Sequence, residues 1–169
     1  SDMVNALLLG DVDFALSLYD PCHPNLASEP LVRGSMTAIA PIGSWTKKLD
    51  NTPLSVADLP KNLIALDLDD HLVSRVMDAC EELGISFTSY TEVQTYVLAR
   101  TLVEFGAGAA VIDPFTAATA NHDKVQCRPL LPNVPVDLFL LTKKSTPLSR
   151  SARAFVECVQ TAAAEFIAR

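Results

Sequence analysis

Leu102 to Ala117 reads LVEFGAGAAVIDPFTA, a stretch in which a helix ends, a strand begins and a turn follows. Val97, Leu98, Leu102 and Phe105 recur at helical spacing, and Gly106 closes the helix because glycine accepts the left-handed cap conformation. Ala109 to Ile112 is a short apolar run of the kind that fills a buried strand. Asp113-Pro114 then starts a turn or short helix reaching Ala120. This order decides the chemistry of Gly106-Ala107-Gly108. A dinucleotide fingerprint needs a strand before its glycines and a helix after them. Here the order is reversed, and the glycines read as a helix end entering a strand.

The same grammar extends outward. Asn62 to Asp67 (NLIALD) is a buried-strand pattern, and Asp69 or Asp70 can cap the helix that follows. Leu72, Val76, Cys80 and Leu83 form the stripe of that helix up to Gly84. Ile85 to Glu92 supplies the next strand. Nearer the start, Val4 to Leu9 reads as a helix end closed by Gly10, and Val12 to Tyr19 alternates as a strand. After Asp20-Pro21 and His23-Pro24, Leu31 to Ala40 forms a second extended run, followed by a loop from Pro41 to Pro53. Beyond His122 come Val125 to Leu131, the strand Val136 to Lys144, and a final helix with Ser149 as N-cap. Its stripe is Ala152, Phe155, Val156, Val159, Ala163 and Phe166. Strands alternating with helices favour an α/β fold on a mixed, mostly parallel sheet with flanking helices. Ile39-Ala40 and Val125 to Arg128 flank the middle of the chain and are candidates for two paired strands crossing between lobes.

Composition excludes several classes of function. With 49% hydrophobic and 20% charged residues in 169, apolar burial can offset the ordering entropy, so a folded module is expected. A formal net charge of -7 argues against nucleic-acid binding by this chain, since phosphate contacts need clustered Lys and Arg. The longest basic runs, Lys47-Lys48 and Lys143-Lys144, read as solvated charges. No apolar stretch approaches the roughly 20 residues needed to cross a bilayer, and the polar start lacks a signal-peptide pattern, so the expectation is a cytoplasmic protein without membrane contact. Cys22, Cys80, Cys127 and Cys158 form no C-x-x-C, and His23, His71 and His122 are scattered. Neither a metal nor a cofactor is expected, and the thiols read as reduced. No nucleophile elbow appears. Cys22-His23 reads as an ordinary loop pair, and the chain reads as a binding module rather than an enzyme.

LVEFGAGAAVIDPFTA closely resembles the "LV..G.G...vdP.tA" block of the effector-binding domain of LysR-type transcriptional regulators. Flanking blocks fall in the same order as in that family: LLLGDVDFAL at Leu7 to Leu16, LASEPLVRGSMTAIAPIGS at Leu26 to Ser44, and PLSVADLPKNLIAL at Pro53 to Leu66. VQCRPLLPNVPVDLFLLTKK at Val125 to Lys144 and SRSARAFVECV at Ser149 to Val159 complete them. The ending Asp113-Pro114-Phe115-Thr116-Ala117 looks most like the branch that senses amino acids and opines. The resemblance implies two lobes like those of type 2 periplasmic binding proteins, joined by two crossing hinge strands, with a small-molecule effector held in the cleft. Lobe I would take residues 1–40 and 126–169, and lobe II residues 41–125. Family first lobes open with a strand, helix and strand of about 50 residues before the LLLGDVDFAL block, so lobe I is expected to be truncated. The family also implies a homodimer or tetramer, with the helix at Val4 to Leu9 meeting Leu72 to Leu83 of a partner. DNA contact would come only through a winged helix-turn-helix outside this sequence. The alternative on the same architecture is the solute-binding protein of a transporter.

Lobed α/β proteins bind ligands at the carboxyl ends of strands, where loops and helix N-termini present amides. That rule selects Leu68, Asp69 and Asp70 after the strand at Asn62 to Asp67. It also selects Glu92, Gln94 and Thr95, then Asp113, Phe115 and Thr116, then Ser17 and Tyr19. Gln94 and Thr95 either cap the next helix or contact ligand, and Asp69 is first of all a cap. Asp113 either pairs with a ligand ammonium group or fixes the turn with Pro114. Glu92 and Asp113 together would favour a positively charged, amino-acid-like effector.

Overall fold

The computed structural model describes residues 2–45, 52–86 and 89–167, with the backbone alone at 89, 90 and 167. The chain divides into two compact units, one made of Ser1–Arg33 with Asp137–Arg169 and the other of Gly34–Val136.

The second unit is built on a six-stranded sheet. In order its strands are β4 (Leu54–Ser55), β8 (Val125–Leu131), β3 (Thr37–Pro41), β7 (Ala109–Ile112), β5 (Asn62–Ala65) and β6 (Ser89–Glu92). Helix α2 (His71–Glu81) connects β5 to β6, and α3 (Tyr96–Glu104) connects β6 to β7. These helical crossovers return the chain in the same direction, so β5 runs parallel to both β6 and β7. β4 is parallel to β8, whereas β3 is antiparallel to β7 and β8, and the sheet is mixed. All four residues of β7 are buried, which is why it reads as a continuous apolar run rather than an alternation. Met36, Ala38, Ile39, Ala99, Val103, Ala110 and Ile112 have no solvent exposure and form the centre of this core.

The first unit holds a three-stranded sheet in the order β1 (Phe14–Ser17), β9 (Pro135–Lys143), β2 (Leu26–Ser35), with β1 antiparallel to β9. Leu7 of α1 (Asp2–Leu9), Leu26 and Leu141 pack together, flanked by Met3, Val4, Leu8, Ala15 and Phe139. Helix α5 (Arg150–Ile167) starts as expected, with Ser149 Oγ accepting from the Ala152 amide at 3.1 Å, and stacks Phe155 on Phe14 at 5.5 Å. Lys143 and Lys144 are not simply solvated, because their ammonium groups donate to the carbonyls of Leu8 (2.7 Å) and Pro24 (2.9 Å). The first of these bonds caps the carboxyl end of α1.

Several elements differ from expectation, each for a local reason. The strand sought at Val12 to Tyr19 shrinks to Phe14–Ser17, because the Ser17 hydroxyl accepts from the Tyr19 amide and donates to its carbonyl, turning the chain. Leu31 to Ala40 is two strands, broken at Met36, whose amide donates to Val134 and whose carbonyl accepts from Leu130. The compact units divide at 33/34 and 136/137, where the expected lobes divide at 40/41 and 125/126. Ile39 pairs with Ala110 on one side and Cys127 on the other, which locks both segments into the second sheet. The strand expected from Ile85 begins at Ser89. Residues 46–51 of the Pro41 to Pro53 loop, Lys47-Lys48 among them, and residues 87–88 lie outside the described residues.

Helix α3 shows a different buried face from the one its periodicity suggested. Tyr96, Ala99 and Val103 are buried, while Val97, Leu98 and Phe105 are 53%, 44% and 79% exposed. Its carboxyl end behaves as expected: at Gly106 (φ +82°) the amide donates to Val103, and the next amide, of Ala107, donates to Leu102.

Candidate ligand-binding site

Because β5 is parallel to β6 and β7, the chain leaves all three at one edge of the sheet, after Ala65, Glu92 and Ile112. Each exit leads into a helix, and each helix is capped. Asp70 Oδ1 accepts from the Leu72 and Val73 amides at 3.0 and 3.1 Å. Thr95 Oγ1 accepts from the Leu98 amide at 3.1 Å. Asp113 Oδ1 accepts from the Phe115 and Thr116 amides, both at 2.9 Å, at the start of α4 (Pro114–Ala117). Three helix starts therefore share this edge, and the chain leaves β5 toward β6 but leaves β7 toward β8, so the connections of these adjacent strands run in opposite directions.

Tyr96 ties two of these starts together. Its hydroxyl donates to Asp70 Oδ1 at 2.9 Å. Burial, the charge and hydrogen bond of Asp70, and the charge of Asp113 all push the phenol up, well above its ordinary range. The group stays protonated, so it can keep donating to Asp70 while its oxygen remains an acceptor. Asp113 is only 3% exposed and Tyr96 8%. The edge therefore combines buried negative charge with fixed dipoles and carries no Lys or Arg between Asp67 and Asp70, Glu92 and Tyr96, or Asp113 and Ala117.

Most of the expected residues meet here. Leu68 and Asp69 are exposed in a turn closed by Asp67, whose Oδ1 accepts from the Asp69 amide at 2.9 Å. That turn leaves the capping role to Asp70 rather than Asp69. Glu92 and Gln94 are exposed beside the Thr95 cap, and Phe115 and Thr116 are half-buried on the first turn of α4. Ser17 and Tyr19 belong to the first unit, where the Ser17 hydroxyl is bound to Tyr19. Tyr96 was not anticipated from sequence, although Tyr96, Ala99 and Val103 do sit at helical spacing. Assigning the stripe to Val97 and Leu98 concealed it.

The Cys22-His23 pair lines a separate open hollow of about 470 Å³ with Asp20, Ser28 and Lys144. His23 Nδ1 accepts from the Asn25 amide at 3.2 Å, so this nitrogen serves the loop. Among the described residues no cluster of three or more His, Cys, Asp or Glu could hold a metal ion, and no helix is long and apolar enough to cross a membrane.

Comparison with known proteins supplies the context. A family model described as the LysR substrate binding domain matches residues 1–164. Comparison with curated protein sequences finds no match. Among solved structures, HinK, a LysR family transcriptional regulator from Pseudomonas aeruginosa, is 22% identical with a TM-score of 0.74, over 96% of this chain and 56% of its own. The Synechocystis CcmR regulatory domain, solved in complex with 2-PG, is 11% identical with a TM-score of 0.76, over 96% of this chain and 78% of its own. Full-length CbnR, solved with its target DNA, is 20% identical with a TM-score of 0.73, over 96% of this chain and 55% of its own. The chain thus spans just over half the length of the full-length regulators it matches.

Proposed function

The chain belongs to the LysR substrate binding domain family, and from that premise we propose that it is the effector-sensing part of a transcriptional regulator, binding a small molecule rather than transforming one. The observation that carries this reading is the gathering of Asp70, Thr95 and Asp113, each at a helix start, along one edge of the second sheet. Such an edge offers amides and carboxylates in fixed positions, as ligand sites of α/β proteins do. A transporter's solute-binding protein is not favoured, since the matching family and the neighbours named above are regulators.

The effector carries a positively charged group and is amino-acid-like, in keeping with the amino-acid and opine branch. Support comes from Asp69, Glu92 and Asp113 standing at an edge whose three segments contain no Lys or Arg. Leu68, Gln94, Phe115 and Thr116 complete the contacts along this edge. The regulator works in the cytoplasm as a homodimer or tetramer. DNA is reached through a winged helix-turn-helix beyond these residues, and effector binding acts by favouring one arrangement of the assembly over another.

A thermal-shift screen with amino acids and their derivatives tests the reading. A ligand at 100 times its Kd should add about 2.7 kcal/mol. Calorimetry on Glu92→Gln and Asp113→Asn should then show at least tenfold weaker binding of the hit, roughly 1.4 kcal/mol each. Unchanged affinity in both variants rejects the charge argument.

A further inference from the structure

Five of the six glycines take positive φ, where a side chain is strained, and Gly34 does not. Its backbone, inside β2, would accept any residue, so glycine here answers a need for space. An ideal Cβ on residue 34 would lie 2.5 Å from Cγ and 2.7 Å from Cβ of Pro114. Carbon atoms in contact normally stay about 3.5–4.0 Å apart. The obstacle cannot rotate away, because the pyrrolidine ring is closed on its own backbone nitrogen. Relief would have to move either the strand or the chain at Asp113-Pro114. The strand is poorly free to yield, since Met36 two residues on is fully buried and Thr37 pairs with Ile112.

We propose that Gly34 is a positioning residue for the strand-end site. The space left by its missing side chain seats the Pro114 ring, and that seat fixes where the Asp113 carboxylate and the first turn of α4 stand. Pro114 lies between Asp113 and the two amides that Asp113 Oδ1 accepts, so a displacement of about 1 Å reaches both bonds. The consequence for ligand binding rests on the function proposed above, but the positioning itself does not.

Hydrogen exchange of the Phe115 and Thr116 amides, read by NMR on the whole chain, separates the two. Gly34→Ala should speed both amides about tenfold and leave Leu72 and Val73, capped by Asp70, unchanged. In a Pro114→Gly background the same substitution should change them less than about twofold, because the ring is gone. Unaltered exchange in Gly34→Ala, or equal acceleration in both backgrounds, overturns the proposal. Should Gly34→Ala fail to fold, the double variant must fold with the exchange of Pro114→Gly alone, and its failure is equally decisive against the proposal. Titration with L-lysine, L-arginine and L-ornithine tests the function separately. If the wild type binds none of them, a basic amino acid is not the effector and the exchange result still stands. If one binds, Gly34→Ala should weaken it about tenfold, and Gly34→Ala added to Pro114→Gly should not.

Discussion

Tyr96 shows how a single side chain can be fixed by its surroundings into one chemical state. Its oxygen lies in a buried place, donates to a carboxylate that already caps a helix, and feels a second carboxylate from another helix start. A phenol in the unfolded chain ionises near pH 10, whereas the folded one resists because its pKa is raised. Tyr96 therefore stabilises the fold fully below about pH 10, and that contribution is lost as pH rises above it, at up to about 1.4 kcal/mol per pH unit. Tyr96→Phe should cost about 1.5 kcal/mol at pH 8, measured by urea unfolding, and the gap between wild type and variant should narrow by pH 11. A gap independent of pH contradicts the assignment. Cys80, also raised by burial, is common to both proteins and cancels in the difference. The Asp113 cap could be read from Asp-Pro chemistry, which acts through neighbours in sequence. The Tyr96 contact could not, since its partner Asp70 lies 26 residues away and only the parallel pairing of β5 and β6 brings them together.

Helix α3 makes the corresponding point about elements. Tyr96, Val97, Leu98, Ala99, Leu102, Val103 and Phe105 surround the helix with apolar groups, so two phases of the same periodicity are available. Packing on β3 and β7 chooses the phase with Ala99, whose small side chain lets the helix approach the sheet closely. The outward phase keeps Phe105 at 79% exposure, with the Lys124 ammonium 5.2 Å from its ring centroid. Val103→Ala should then destabilise by about 2 kcal/mol, through lost burial and the cavity left behind. Phe105→Ala should cost under about 1 kcal/mol despite removing more atoms, since only a surface cation-π contact is lost. Thermal or urea unfolding of the two variants checks the ranking, and the opposite order would restore the face suggested by the sequence pattern. The helix boundaries were legible for a simpler reason: caps and glycine ends depend on local bonds, whereas the buried face depends on a sheet assembled from distant segments.

At the scale of the whole chain, the alternation of strands and helices announces an α/β fold, whereas the break within Leu31 to Ala40 is not legible in the pattern. Leu31 to Ala40 looks uninterrupted because Met36, where the strands part, is an apolar residue that carries no turn signal. Only its hydrogen bonds to Val134 and Leu130 mark the break. Charge, by contrast, needs no tertiary information. Lys and Arg number 13 against 20 Asp and Glu, and duplex DNA binding draws most of its non-specific affinity from cations that displace counterions. Two of the lysines are also engaged by backbone carbonyls, and Arg33 is held by both oxygens of Asp137 at 2.6 and 2.9 Å. Arg128 is buried and donates to the carbonyls of Thr52 and Pro53. The 169-residue chain should therefore bind a labelled DNA duplex more weakly than the roughly 10⁻⁴ M end of non-specific binding at physiological salt. Fluorescence anisotropy between 50 and 200 mM salt, as about a fourfold range, gives the decisive reading. Micromolar binding with a steep salt dependence would mean that these residues do contact phosphate, and would place DNA contact within this chain itself.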